Sequence, residues 1–212
     1  MPNDALISIR LRMVLYFGLT ASIYGSYGYL NANPPFTPQL LPMTLVDHAI
    51  PFLVWTVWPY AFLSLGNFVL PFFIKRRDNF LQMTVTLAAA MVIHVTFWSL
   101  MPTTYPRPPA PVGTTLSHQF YLLLISVDTP GNCFPSAHVA APSVILFFLC
   151  RERPRIAPYL WTVFGVFALS ILTTKQHYLW DLMGSFITVV VALRVGRWWS
   201  ERRAATAAAG GR

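Results

Sequence analysis

FLQMTVTLAAAMVIHVTFWSLM, residues 80–101, runs 22 positions without one Asp, Glu, Lys or Arg, and lies just after Lys75-Arg76-Arg77. About 20 mostly apolar residues are what a helix needs to cross the ~30 Å hydrocarbon core of a bilayer. A basic cluster against the end of such a run anchors membrane helices on the cytoplasmic side. The stretch therefore predicts a membrane helix, and the rest of the chain repeats its pattern. Apolar runs recur at approximately 11–30, 50–74, 136–150, 156–173 and 179–196. Together they predict an all-α fold, an integral membrane bundle of six transmembrane helices. Composition agrees, with 55% hydrophobic and 10% charged residues, where a soluble domain carries about 25% charged residues.

The net charge is +8. A nucleic-acid site would interleave its cations with polar residues on one face. Here they sit in short clusters between apolar runs, so no nucleic-acid partner is expected. Thirteen of the 15 Lys and Arg fall at alternate ends of the runs: Arg10 and Arg12; Lys75, Arg76 and Arg77; Arg151, Arg153 and Arg155; Arg194, Arg197, Arg202, Arg203 and Arg212. Only Arg107 and Lys175 fall on the other side. The split predicts cytoplasmic termini and three outward-facing loops. One membrane domain is expected over 1–203, followed by a flexible Ala/Gly-rich tail at 204–212. The first run is too long for a signal-peptide core and reads as a retained helix. Cys133 and Cys150 flank an apolar run that, as a helix, separates them by more than ~20 Å, too far for a disulfide.

The chemistry lies in the outer loops. The first, 31–49, has four prolines and ends in Asp47-His48. The second, 102–135, has five prolines between Pro102 and Pro111 and leads into DTPGNCFPSAH at 128–138. The third is the short TTKQHYLWD at 173–181. Pro135 suits the start of a helix, which puts Ser136, Ala137 and His138 in its first turn. Free N–H groups and the positive dipole end there favour an anion such as phosphate. His177 and Asp181 are four apart, on one face if helical. A carboxylate so close to an imidazole fixes its tautomer and stabilises its cation. His94, in mid-span, reads as a hydrogen-bonded core histidine, Asp47-His48 as a loop or helix-start pair, and Asp128 as a turn cap. Ser136 is either a helix cap or a donor to a phosphoryl oxygen. Arg107 is a surface residue or a phosphate cation, and Lys175 an interfacial anchor or a second cation. Two histidines and a carboxylate also describe an open metal site.

Pro135-Ser136-Ala137-His138 resembles the Pro-Ser-Gly-His motif of the type 2 phosphatidic acid phosphatase superfamily, and His177-Tyr-Leu-Trp-Asp181 resembles its His-x-x-x-Asp motif. Asp47-His-Ala-Ile-Pro-Phe and Trp58-Pro-Tyr60 are similar to the branch containing inositol phosphorylceramide and sphingomyelin synthases. The resemblance implies a membrane enzyme that acts on lipid phosphate esters with no metal or cofactor. It makes His177 the nucleophile, Asp181 its support and His138 the general acid and base, with Arg107, Ser136 and Lys175 as phosphate contacts. Arg107-Pro108 matches the family's Arg-Pro, but Leu100 stands where a Lys is usual and Ile171 where an Arg is usual. Missing cations favour a singly charged phosphodiester over a phosphomonoester, hence transfer of a headgroup to a lipid or polyol hydroxyl. The alternative is a lipid phosphatase acting on phosphatidate or a prenyl diphosphate. A lesser alternative is a transporter or flippase, for which the chain shows no inverted repeat.

Overall fold

The computed structural model describes residues 5–210. Eight α-helices are found among them. Helix α1 (Ile9–Ala32) starts at Ser8, whose hydroxyl accepts the Leu11 N–H at 3.3 Å. The short α2 (Leu45–Ala49) opens on a capping box between Thr44 and Asp47. A 3-10 turn at Val54–Thr56 leads into α3 (Val57–Val69), and a second one containing Pro71 ends it. Then come α4 (Arg77–Leu100), α5 (Leu116–Val127), α6 (Ala137–Glu152), α7 (Ala157–Thr173) and α8 (Leu179–Gly210). Two-residue strands β1 (Gln39–Leu40) and β2 (Thr103–Thr104) pair in parallel and tie the loop after α1 to the loop after α4.

Helices occupy all six predicted runs, but three segments are long and apolar enough to cross a membrane: Val54–Phe73, Arg77–Leu100 and Leu179–Ala209. Helices α6 and α7 have only 16 and 17 residues. Helix α1 is long enough, but Arg10, Arg12 and a second half rich in Ser, Gly and Tyr dilute it. Helix α5 lies within what the sequence suggested was an irregular loop. Helix α8 continues through the stretch expected to be a flexible tail, as far as Gly210, because alanine is the strongest helix former. Arg212 lies outside the described residues.

Helix α6 is the axis of the bundle: ten of its 16 residues are buried. Val144, Ile145 and Phe148 pack with Phe80 and Met83 of α4 and with Tyr16 of α1. Val139 packs with Tyr60 and Leu63 of α3 and with Ala168, Ile171 and Leu172 of α7. Helices α4 and α8 approach closely at Gly196, where a Cβ would fall 2.0 Å from Thr86 Oγ1. Small residues permit such close helix contacts in membrane proteins.

The basic clusters gather at one end. The Glu152 carboxylate accepts the Lys75 and Arg76 N–H groups at 2.9 and 3.0 Å. Arg203 lies 3.6 Å from Asp78, and Arg151 donates to Gln82 at 2.9 Å. Arg12 is buried rather than at the surface, and Nη1 donates to the Phe72 carbonyl at 2.5 Å. Cys133 and Cys150 are both buried and free.

Candidate active site

At the opposite end, α7 stops at Thr173 and the chain reverses. Lys175 takes a left-handed conformation, φ 53°. The N–H groups of Gln176 and His177 both donate to the Ile171 carbonyl at 3.1 Å, which pins His177 at the mouth of α8. Asp181 sits in the first turn of α8. Its Oδ2 accepts the Tyr178 N–H at 3.0 Å and lies 3.1 Å from His177 Nδ1. His177 is 6% exposed and Asp181 2%, so little water competes for this contact.

The start of α6 is bound to the same turn. The Ser136 N–H donates to the Asp181 carbonyl at 3.2 Å, and the Ser185 hydroxyl lies 2.7 Å from both the Asp181 and Ser136 carbonyls. A Cβ at Gly184 would fall 2.4 Å from the Phe134 ring, so only glycine lets α8 pack against Phe134-Pro135 this closely. That packing brings His138 Nδ1 to 3.3 Å from His177 Nε2. On its far side, His138 Nε2 lies 3.2 Å from the Tyr60 hydroxyl. The outcome is a line of four groups: Asp181, His177, His138, Tyr60. His177 presents one nitrogen to the carboxylate and the other to His138. The groups therefore follow one another rather than converging on a point, an arrangement suited to moving protons more than to chelation.

His138 and His177 line the head of a cavity of about 690 Å³ that extends between α1, α3 and α4, past Tyr60, His94 and Tyr24. Arg107, Lys175 and Ser136 are not among the residues that line it. Arg107 clamps the loop between α4 and α5: Nη1 donates to the Ile125 carbonyl at 3.1 Å, Nη2 to the Asp128 carbonyl and to Gln176 Oε1, and Nε to the Tyr105 hydroxyl at 3.2 Å. Lys175 Nζ donates to the Asp47 carbonyl at 2.8 Å. Ser136 occupies the N-cap position of α6 without a side-chain cap bond, and its buried hydroxyl has no hydrogen-bond partner.

Asp47 belongs to the support of the site. Oδ1 accepts the Leu179 N–H at 2.8 Å and so caps α8 from the short helix α2, while Oδ2 accepts from the Thr44 N–H and hydroxyl. Burial pushes the Asp47 carboxyl up, but the Thr44 and Leu179 hydrogen bonds and the Lys175 charge outweigh it and hold it below the usual range. Burial pulls the Lys175 ammonium down, with Asp47 opposing. His48 is exposed. His94 Nδ1 lies 2.7 Å from the Ala90 carbonyl, a core contact. Asp128 accepts the Tyr27 hydroxyl at 2.7 Å. Tyr60, Gln176 and the capping role of Asp47 had no signal in the spacing of the sequence.

The family model of the PAP2 superfamily matches residues 36–195. That span holds Tyr60, His138, His177 and Asp181. Comparison with curated proteins and with solved structures gave no match.

Proposed function

From a chain that belongs to the PAP2 superfamily, a family of phosphatases and phosphotransferases acting on phosphate esters, we propose a membrane lipid phosphotransferase that works through a phosphohistidine-type intermediate. The observation that carries this reading is the relay at the head of the cavity, with 3.1 Å from Asp181 to His177 and 3.3 Å from His177 to His138. An ionised carboxylate accepts and never donates, so His177 carries its proton on Nδ1 and turns the Nε2 lone pair toward the cavity head. That lone pair attacks phosphorus. The P–O bond to the lipid breaks, and its electron pair leaves with the alkoxide, which takes a proton from His138. In the second half His138 removes the proton of the acceptor hydroxyl, the new P–O bond forms, and His177 is released.

The partners of the two histidines suit these roles. His177 becomes cationic once phosphorylated, and the Asp181 charge stabilises that state. His138 must lose and regain a proton, and its partner is a neutral phenol. The N–H groups opening α6 lack intrahelical partners and, at Ala137 and His138 on the cavity wall, are the donors to phosphoryl oxygens. Arg107 and Lys175 act as fixed positive charge beside the cavity, since protein carbonyls already occupy them.

A site so sparing of free cations suits one negative charge better than two, because each uncompensated charge in a dry site is costly. Phosphodiester lipids are therefore expected to be turned over faster than phosphatidate, with the headgroup passing to a lipid or polyol hydroxyl, as in the synthase branch named above. Purified protein incubated with a lipid panel, with and without hydroxyl acceptors, tests this by mass spectrometry of the products. Phosphate release from phosphatidate without any headgroup transfer would make the enzyme a lipid phosphatase.

Six crossings are proposed, with α6 enclosed by its neighbours while α1 and α7 turn apolar side chains such as Val14, Val166 and Leu169 outward. The basic clusters at one end support cytoplasmic termini and an outward-facing site. Val112, 99% exposed in the second outer loop, and Ala207 on α8 are convenient probes. With Cys133 and Cys150 replaced, Val112→Cys is expected to react with an impermeant thiol reagent in whole cells, and Ala207→Cys only after lysis. The reverse pattern would invert the topology.

A further inference from the structure

We infer that Tyr60 is the positioning residue of His138, holding its imidazole through Nε2 in both protonation states. The inference rests on the proposed roles of the two histidines. It follows from passing donors and acceptors along the line. Asp181 accepts, so His177 Nδ1 bears hydrogen and Nε2 is a lone pair. The group facing that lone pair, His138 Nδ1 at 3.3 Å, must then donate. In neutral His138 this leaves Nε2 as an acceptor, and the Tyr60 hydroxyl, 3.2 Å away, donates to it. Neutral His138 thus carries its proton on Nδ1, the nitrogen that faces the nucleophile and the substrate, while Tyr60 satisfies Nε2.

A hydroxyl can also reverse its role. When His138 is an imidazolium, Nε2–H donates to the Tyr60 oxygen and the phenol proton turns away. A carboxylate in the same place would accept in both states and hold the proton on His138, which suits a permanent cation and not a shuttle. Tyr60 is 3% exposed and fixed among Leu63, Val139, Ile171 and Leu172. Its ring lies 5.3 Å from the His138 ring, tilted by 40°.

Loading the site makes this bond more important. A reacting nitrogen about 3 Å from phosphorus and a hydrogen bond of about 2.8 Å to the leaving oxygen cannot both fit within 3.3 Å. The two histidines must part when a phosphoryl group enters between them. His138 then gives up its contact with His177, and the Tyr60 hydrogen bond is the one that keeps the ring aimed.

Tyr60→Phe keeps the ring and removes only the hydroxyl. If Tyr60 acts through His138, the loss depends on the leaving group. An alkyl phosphate ester needs the proton from His138, while a p-nitrophenyl ester departs without one. Turnover of the alkyl ester is expected to fall roughly 10–100-fold and that of the p-nitrophenyl ester less than about threefold. The ratio of the two rates does not depend on how much of the variant folds. Equal losses on both esters, or no loss on either, would overturn the inference. In a His138→Ala background Tyr60→Phe is expected to cost nothing further, and an added selective loss there would also overturn it.

A second readout is the pH profile. Donation requires protonated His138, and the variant's buried imidazolium lacks an acceptor, so the limb at which activity declines with rising pH should move to lower pH. The other groups whose charge reaches His138 are His177, Asp128 and His94, all retained in the variant. An unmoved limb would argue against Tyr60. Turnover surviving in His177→Ala would instead count against the proposed reaction.

Discussion

His177→Ala is expected to abolish turnover of every phosphate ester, whatever the acceptor. In the proposed reaction the imidazole supplies the attacking lone pair, and no other group in the line replaces it: His138 presents a proton at that position, and Tyr60 lies on the far side of His138. Loss of a nucleophile that acts with its base as a unit is on the order of 10⁶ in kcat. The fold should survive. The main chain of His177, not its side chain, makes the bond to Ile171, and the ties between α6 and α8 run through Ser136, Asp181 and Ser185. Two measurements check this. Quenching in alkaline detergent after a phosphate-labelled substrate should trap a base-stable, acid-labile phosphoryl or phosphodiester adduct on wild type and none on the variant. Thermal unfolding in detergent should be nearly unchanged. Wild-type rates in the variant would end the assignment of the nucleophile.

That His138, His177 and Asp181 would meet was legible because local spacing and the two family-like motifs place each at the mouth of a helix. Four residues separate His177 from Asp181, and a proline marks the start of the helix that carries His138. The helices were legible for a related reason, since an apolar run of membrane length has few other uses. Features that depend on chain segments meeting from far away were not visible. Tyr60 and His138 are 78 positions apart, and Asp47 caps α8 from 132 positions away. Helix α5 has twelve residues, eight of them apolar, between a proline-rich stretch and Asp-Thr-Pro-Gly, too few to read as a span. With α5 unseen, the Ile125 and Asp128 carbonyls that occupy Arg107 were unseen too. Arg107 then reads as a surface residue or a phosphate cation, when it is the clamp that joins the end of α5 to Gln176.

Asp181→Asn is expected to leave a folded enzyme with kcat reduced roughly 10²–10⁴-fold, the scale for a lost acid–base partner. The two side chains have nearly the same shape, so the difference is charge and the direction of hydrogen bonding. The main-chain carbonyl at 181, which takes Ser136 N–H and the Ser185 hydroxyl, is untouched. Oδ2 of the native residue serves both the Tyr178 N–H and His177 Nδ1. If the amide oxygen takes that place, both bonds persist but the phosphorylated, cationic imidazole loses its counter-charge in a site with only 2% exposure at this residue. If the amide nitrogen takes it, His177 must accept at Nδ1, and the proton moves to the nitrogen that should attack. Both outcomes slow formation of the adduct and leave substrate binding largely intact. A rapid-quench time course should therefore show a slow rise of phosphoenzyme with little change in KM. An adduct that forms at the wild-type rate would show that Asp181 serves the fold and not the nucleophile.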